Sequence, residues 1–292
     1  MNFDLFGNPV IEKTNLRQDF IIPPFSVFNT ADSEWQERKS KWKSIGIESE
    51  VGRNDNLLGY SSTILKDAEN AGTSIFDPVL CEIAYTWFCK PGGKILDPFA
   101  GGSVRGIVSN FLNYDYTGIE LRNEQVVANM KQAREIIPEN KPTWINGDSE
   151  FILDNFLINN KYDFIFSCPP YYDLEKYSQE ENDLSNLNHK DFNDKYRAII
   201  KKACSKLKEN CFAAFVIGNV RDKKGNIKSL YSETIKAFED SGLKFYNDIV
   251  LRNPTGTAAP RARRIFTYRK VTTVHQYALV FIKGDAKKHE LV

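Results

Sequence analysis

The run Tyr162–Phe166 is rich in aromatic and aliphatic residues, and it is followed almost at once by Pro169 and Pro170. Proline has no backbone N–H and restricts the residue before it, so the run predicts a buried strand whose carboxyl end leaves the sheet. In an open α/β sheet, ligands bind at the carboxyl ends of the strands. The residues that follow, 167–172, are therefore a candidate site.

Strand and helix patterns alternate along most of the chain, which predicts an α/β fold with a doubly wound, mostly parallel sheet. A helix is predicted after Asp77, a good cap, with Pro78 at its first position. The predicted strands are 94–97, 116–121, 143–148, 162–166, 211–218, 243–251 and 276–282, and the predicted helices between them include 104–112, 123–137, 191–207 and 230–240.

Residues 1–73 are interpreted as an N-terminal extension that packs on a main domain, 74–292. In the extension, Trp35 and Trp42 lie seven residues apart, on one face of a helix, and basic residues surround them. One interpretation is a docking helix with buried tryptophans. The other is a contact with nucleic acid, through Arg38 to Lys43.

Composition excludes several classes of protein. The formal net charge is +1, so any basic surface has to be local. The five cysteines are scattered without CxxC spacing, so neither a disulfide framework nor a zinc site is indicated, and no metal is predicted. No secretory signal and no run of membrane-spanning length are seen, so a cytoplasmic location is expected.

Three successive strands are predicted to end in an acid, namely Asp97, Glu120 and Asp148. A glycine-containing turn, Pro98 to Gly102, follows the first of them and lacks both the GxGxxG spacing of dinucleotide sites and the lysine of a P-loop. Each acid alone is equally well a helix cap or a solvated residue. Together at one sheet edge, beside a glycine turn, they predict a site for a nucleoside.

Residues 252–275 contain concentrated positive charge and no acid. They are interpreted as a polar loop between the last two strands that contacts a phosphate backbone, the alternative being a solvated surface loop. The candidate nucleic-acid-binding residues are Arg261, Arg263, Arg264, Arg269 and Lys270.

Two motifs carry a resemblance to a known family. Asp97-Pro98-Phe99-Ala100-Gly101-Gly102 and, further on, Cys168-Pro169-Pro170-Tyr171 resemble the motifs of the S-adenosylmethionine-dependent amino methyltransferases of DNA, which act on cytosine N4 or adenine N6. The chain looks most like the methylases of phages and prophages. The resemblance implies a seven-stranded sheet, S-adenosylmethionine as cofactor, double-stranded DNA as partner, and DNA methylation, with restriction–modification as a setting.

The resemblance also implies residue roles for the cofactor. The 97–102 loop would wrap the methionine part, with help from the start of the preceding helix. The second predicted strand would hold the ribose hydroxyls through Glu120, and Asp148 the adenine amino group. The implied cofactor-binding residues are Phe76, Asp77, Pro78, Asp97, Pro98, Phe99, Ala100, Gly101, Gly102, Glu120, Leu121 and Asp148.

In the family's catalytic motif an Asp, Asn or Ser precedes Pro-Pro and an aromatic residue, whereas this chain has Cys168. The amine's lone pair is delocalised into the base, and acceptors at that side chain and at the Pro169 carbonyl localise it. Tyr171 would stack on the flipped base. Three alternatives stay open: Cys168 is a weak acceptor, Ser167 replaces it, or Pro169 does most of the work. A nucleophilic cysteine is less favoured, and the serine-like size favours cytosine N4 slightly over adenine N6.

Two other functions agree with the same residues. One is an RNA base amino methyltransferase, because the same pattern serves exocyclic amines in RNA. The other is a non-catalytic nucleic-acid-binding protein that retains a degenerate methylase fold, which the cysteine at position 168 would explain.

Overall fold

The computed structural model describes residues 16–47, 76–139, 142–172, 182–222, 224–256 and 258–289. The strands are β1 Val27–Asn29, β2 Lys94–Asp97, β3 Asp115–Glu120, β4 Thr143–Asn146, β5 Tyr162–Ser167, β6 Leu207–Ile217, β7 Lys244–Arg252 and β8 His275–Lys283. The helices are α1 Leu16–Phe20, α2 Ser33–Ser44, α3 Pro78–Phe88, α4 Val104–Phe111, α5 Asn123–Ile136, α6 Ser149–Asn155, α7 His189–Lys206, α8 Leu230–Asp240 and α9 Ala258–Ile265. Within these ranges, no helix combines the length and the apolar character needed to cross a bilayer.

The strands form one sheet in the order β1-β7-β8-β6-β5-β2-β3-β4. Every neighbouring pair is parallel except the two that involve β8, which runs antiparallel to both β6 and β7. This confirms the predicted α/β fold class with its mostly parallel sheet. The sheet has an eighth strand that the sequence did not predict, because β1 is only three residues long and pairs with β7 through one edge.

Helices cover both faces of the sheet. Alternate strand residues point to opposite cores, so that Ile95 joins the cluster beneath α2 to α5, whereas Leu96 joins the cluster beneath α6 to α8. In β5, Phe164 and Phe166 face the first core and Ile165 faces the second. The central strand is buried along its whole length, as the sequence predicted.

Helix α2 docks on the start of α3. Trp35 and Trp42 are buried in the core, and their indole N–H groups donate to Asp77 and Glu82, at 3.1 and 2.8 Å. Arg38 donates to both carboxylate oxygens of Glu82. The docking-helix interpretation is therefore confirmed for α2, while the division of the chain at residue 73 stays a prediction.

Two segments predicted as loops contain regular turns. In the basic segment, α9 is a helix and 266–268 form a 3-10 turn, because alanine and arginine favour helix and Pro260 lies in the first turn, where its missing N–H costs nothing. The segment 174–189, whose acidic and polar residues also predict a loop, lies partly outside the described residues. Its last part is ordered by Asp183, whose carboxylate accepts from the backbone N–H of Ser185 at 2.8 Å.

Candidate active site

The parallel register places the carboxyl ends of β2, β3, β5, β6 and β7 along one edge of the sheet, here called the carboxyl edge. Loops that follow these strands therefore lie side by side. The carboxyl edge carries the loop 98–103, the turn 120–122, the motif 167–172, and the described parts of the connections after β6 and β7, which are 218–222, 224–229, 253–256 and 258–274.

The loop 98–103 wraps closely around the end of β3. Gly101 has φ of +52°, in the left-handed region that favours glycine, and its N–H donates to Glu120 Oε2 at 2.9 Å. The Ala100 N–H donates to the Ile119 carbonyl at 3.0 Å. The loop and the acid predicted to hold a ribose are therefore one hydrogen-bonded unit.

Glu120 is the acid best placed to bind a ligand. Its Oε1 accepts from the Arg122 N–H at 3.0 Å and lies 3.5 Å from Arg122 Nε, whereas its Oε2 accepts from the Gly101 N–H and keeps a lone pair for another donor. Burial raises the pKa of Glu120, while the two backbone N–H groups and the Arg122 guanidinium act in the opposite direction. Two adjacent hydroxyls donating to this carboxylate would suit its geometry, which fits a ribose.

Asp97 does not present its carboxylate to a ligand. The side chain has no exposed surface and accepts from Arg105 Nε at 2.6 Å, from the Tyr116 hydroxyl at 2.7 Å and from Ser167 Oγ at 2.5 Å. Its predicted role as a cofactor contact is therefore corrected to that of a buried anchor beneath the loop. No pattern around Asp97 indicates this role, because its hydrogen-bond partners come from other elements.

Arg105 is a site residue that the sequence reasoning missed. It is buried, and besides Asp97 it donates to the carbonyls of Phe99 and Ala100, at 2.6 and 2.8 Å. Its guanidinium also lies 4.6 Å from the centre of the Phe76 ring. One side chain thus holds the glycine loop in place and links that loop to the start of α3.

The predicted residues at the start of α3 have different surroundings. The Asp77 carboxylate caps α3 through the Val79 N–H at 3.0 Å and also accepts from Lys39 at 2.9 Å, so it is engaged within the protein. Pro78 is buried, and Phe76 is half-buried beside Arg105. Of the three predicted residues, Phe76 has the surface for a ligand contact.

Asp148 follows β4 and caps α6. Its Oδ1 accepts from the Glu150 N–H at 2.8 Å, and its Oδ2 accepts from Lys195 Nζ at 2.6 Å. Lys195 also donates to the Asn182 carbonyl at 3.0 Å, and so joins the 182–187 turn to this end of the site. The sequence reasoning missed Lys195, which lies in the middle of a polar helix face.

The motif after β5 separates into two parts. Ser167 is fully buried, and its hydroxyl donates to Asp97 and accepts from the Phe99 N–H at 3.1 Å, so it belongs to the anchor and not to the ligand-facing surface. This corrects its prediction as a catalytic acceptor. Cys168 is half-buried, and its Sγ lies 3.6 Å from the Tyr171 hydroxyl.

Tyr171 lies across the end of β6. Its hydroxyl donates to the Val216 carbonyl at 3.4 Å, and its ring passes so close to Gly218 that a Cβ there would lie 3.1 Å from a ring carbon. The ring is half-buried, whereas Pro169 is buried and Pro170 half-buried. The motif therefore presents a partly exposed ring beside a thiol and a proline turn.

Tyr172, to which the sequence reasoning assigned no role, is the last residue of the motif. It has φ of +56° and is buried, its ring stacks on His189 at 4.8 Å, and its hydroxyl donates to Asn193 at 3.1 Å. Burial raises the pKa of Tyr172 to about 12. Lys228 lies 5.3 Å above the same ring. The sequence contains no signal that this tyrosine adopts the left-handed backbone conformation.

The basic segment lies at the same edge, because β7 ends at Arg252 and β8 begins at His275, its register partner. Lys270 packs against Gly225 in the segment after β6. Among the predicted nucleic-acid-binding residues, Arg261, Arg263, Arg264 and Arg269 are exposed and Lys270 is half-buried.

No family model matches the chain, and no curated protein matches it. Among solved structures, TrmN from Thermus thermophilus has a TM-score of 0.47 and 13% identity over 71% of this chain, which spans about half, 49%, of that protein. A TehB-like SAM-dependent methyltransferase from Corynebacterium glutamicum has a TM-score of 0.43 and 17% identity, with 73% of this chain and 90% of that one covered.

A third similar structure is the magnesium protoporphyrin IX methyltransferase ChlM from Synechocystis PCC 6803 with bound SAM. Its TM-score is 0.44, its identity is 11%, and 73% of this chain and 87% of that one are covered. All three TM-scores lie below 0.5. The functional interpretation of this chain therefore rests on the geometry of its own carboxyl edge.

Proposed function

We propose that this chain is a methyltransferase that moves the methyl group of S-adenosylmethionine to an exocyclic amine of a DNA base, with cytosine N4 favoured over adenine N6. One observation carries the proposal: the Tyr171 ring and the Pro169-Pro170 turn lie at the same sheet edge as the hydrogen-bonded unit of Gly101 and Glu120. This arrangement supports a base pocket that lies next to a nucleoside pocket. Double-stranded DNA as partner, a phage-type origin and a cytoplasmic location belong to the same proposal.

The cofactor would be held by the chain's own groups. Glu120 would accept from the ribose hydroxyls, Phe76 and the 98–102 loop would contact the methionine part, and Leu121 and Asp148 would flank the adenine. When bound, the cofactor supplies an electrophilic methyl group, and the transfer needs no metal. The protein contributes by holding donor and acceptor close together in a space from which water is excluded.

The acceptor amine is activated by hydrogen bonds that draw its hydrogens out of the base plane. Ser167 is committed to Asp97, which leaves the Pro169 carbonyl and Cys168 as the candidate acceptors. A thiol is a weak acceptor, so we propose that the Pro169 carbonyl takes the larger share. Tyr171 then fixes the plane of the base by stacking.

Mass spectrometry of nucleosides tests this function. DNA and RNA from cells that express the chain would be digested and compared with those from cells expressing Glu120→Ala, whose cofactor site lacks its carboxylate. We expect N4-methylcytosine in the DNA of cells that express the unaltered chain and none in the DNA of cells that express Glu120→Ala. A methylated amine found in RNA and absent from DNA would replace the DNA assignment, and DNA binding without uptake of S-adenosylmethionine in calorimetry would show a non-catalytic protein.

A further inference from the structure

The basic segment carries exposed aromatic rings at its tip. Phe266 and Tyr268, in the 3-10 turn after α9, are 52% and 76% exposed. Cationic groups lie near both rings, with the Arg269 guanidinium 5.5 Å from the Phe266 centre and Lys270 Nζ 5.8 Å from the Tyr268 centre. Exposed rings next to cationic groups form stacking platforms for unpaired bases, since every base has an aromatic face and its phosphate is negative.

This tip is connected to the proposed base pocket by direct contacts. Lys270 packs against Gly225, and Gly225 belongs to a small antiparallel turn closed by a bridge between Arg221 and Ile227. The next residue, Lys228, lies over the Tyr172 ring beneath the catalytic motif. A strand of nucleic acid that leaves the Tyr171 pocket along these contacts would pass the cations of Lys228, Arg221 and Lys270, and one acid, Asp222, before it reaches the two exposed rings.

We infer that the surface formed by 221–222, 224–228 and 266–270 binds unpaired nucleotides of the DNA next to the target base, with Phe266 and Tyr268 stacking on two of those bases. This inference rests on the proposed function for the position of the target base, and it specifies the form of the DNA. Fully paired DNA hides its base faces, so charge alone would attract it to this surface. Unpaired DNA gains the stacking contacts as well.

Fluorescence anisotropy with labelled DNA tests the inference. The probes are a mixed-sequence single strand of about twenty nucleotides, its fully paired duplex, and the duplex with a short central gap. We expect the single-stranded and gapped probes to bind more tightly than the duplex. The double variant Phe266→Leu, Tyr268→Leu should weaken them by about ten- to a hundredfold, the range expected for one or two lost stacked bases, and should leave the duplex nearly unchanged.

Two control variants separate stacking from general damage. Phe151→Leu, Phe156→Leu removes another pair of exposed rings, 6.0 Å apart on and after α6, and should leave all three affinities unchanged. Tyr268→Trp keeps a stacking ring and should bind as tightly as the unaltered chain. Circular dichroism would verify that each variant is folded.

The inference is wrong if the leucine variant binds every probe as the unaltered chain does, if it loses single-stranded and duplex binding equally, or if the unaltered chain binds none of the probes. Methyl transfer is not measured in this experiment. Calorimetry with S-adenosylmethionine, for which the leucine variant should match the unaltered chain, reports on the proposed function separately. If the chain binds no S-adenosylmethionine and yet prefers unpaired DNA, the proposed enzymatic function is wrong and the inferred binding surface stands.

Discussion

Tyr171 is the single side chain on which the proposed base pocket depends most. Its ring is held at one end by the Val216 carbonyl and along one side by Gly218, so its plane is fixed before any base arrives. A ring fixed in advance loses little conformational entropy on binding, and this is the physical basis of an efficient stacking partner.

Replacing Tyr171 by alanine should therefore lower kcat/KM for DNA by about five- to 150-fold, because a stacked base contributes about 1–3 kcal/mol. The affinity for S-adenosylmethionine should change little, since the Glu120 unit is not touched. Steady-state kinetics and calorimetry measure the two quantities. The matched control is Tyr171→Phe, which keeps the ring and should retain most of the activity. Loss of cofactor binding in the alanine variant would place the base elsewhere.

The three acids predicted at strand ends show where sequence reasoning at the residue scale stops. Asp97 and Glu120 end β2 and β3 as the pattern of strands indicated, whereas Asp148 lies two residues after β4. Asp97 is an internal anchor, Glu120 Oε2 keeps a lone pair for another donor, and Asp148 is shared between a helix cap and Lys195. The difference comes from partners on distant segments, such as Arg105 and Lys195. A single sequence without the fold does not specify those partners.

Helix α2 shows how an element is held by a few directed bonds. Glu82 is buried, and its carboxylate accepts from both Arg38 and the Trp42 indole. Removing Arg38 would leave the buried Glu82 carboxylate without its cationic partner. Removing one partner of a buried ion pair lowers the free energy of unfolding, because the remaining charge is uncompensated. Helix α2 packs on α3, directly after Phe76 in the proposed cofactor site.

We expect Arg38→Ala to lower the free energy of unfolding by about 1–3 kcal/mol, a value reduced from that of a fully buried pair because Arg38 is partly exposed. Lys41→Ala is the matched control on the same helix. Its ion pair with Glu37 is exposed on both sides, so its loss should cost less than about 0.5 kcal/mol. Urea unfolding followed by tryptophan fluorescence measures both. Equal effects of the two variants would contradict the anchoring role of Glu82.

Helix α9 is the element that sequence reasoning assigned to a loop, although its charge was recognised. Thr255, Gly256 and Pro260 are residues typical of turns, and only eight residues remain for the helix, so no apolar periodicity could develop. The same absence of pattern hid β1. Short elements at the edges of a fold are specified by their packing partners more than by their own residues.

Three arginines of this element, Arg261, Arg263 and Arg264, should contribute to DNA binding through phosphates. Replacing all three by glutamine should weaken binding at low salt and should reduce the slope of log K against log salt by up to about three. Affinity measured over a series of salt concentrations gives the slope. An unchanged slope would locate the DNA on another surface.

The matched control for this prediction removes three exposed lysines at the opposite edge of the sheet. Lys94 and Lys244 begin β2 and β7, and Lys161 immediately precedes β5, so all three lie at the amino ends of parallel strands. The triple glutamine variant changes the net charge by the same amount as the arginine variant. It should leave the salt slope close to that of the unaltered chain, because its charges lie away from the basic segment at the carboxyl edge.

At the scale of the whole molecule, the fold class could be predicted from the sequence because it depends on local strand and helix patterns. These patterns determine how distant segments pack. Strands β6 and β8 each contain an apolar run of six or more residues, β5 is rich in aromatic residues, and an α-helix stands between each successive pair of strands from β2 to β7. The antiparallel β8 completes the sheet between β6 and β7. Which side chains would converge on a ligand was less predictable, because convergence depends on loop geometry that the periodicity does not encode.

The position of β1 has a consequence for the synthesis of the protein. Val27 pairs with Val250, so the first described strand of the chain has no hydrogen-bonding partner until almost the whole sheet has left the ribosome. β8, which lies between β6 and β7, appears later still. The three residues of β1 therefore lack their strand partner for most of translation, and they include Phe28, which the finished fold buries. Shielding these residues during elongation is a task for which a chaperone is well suited.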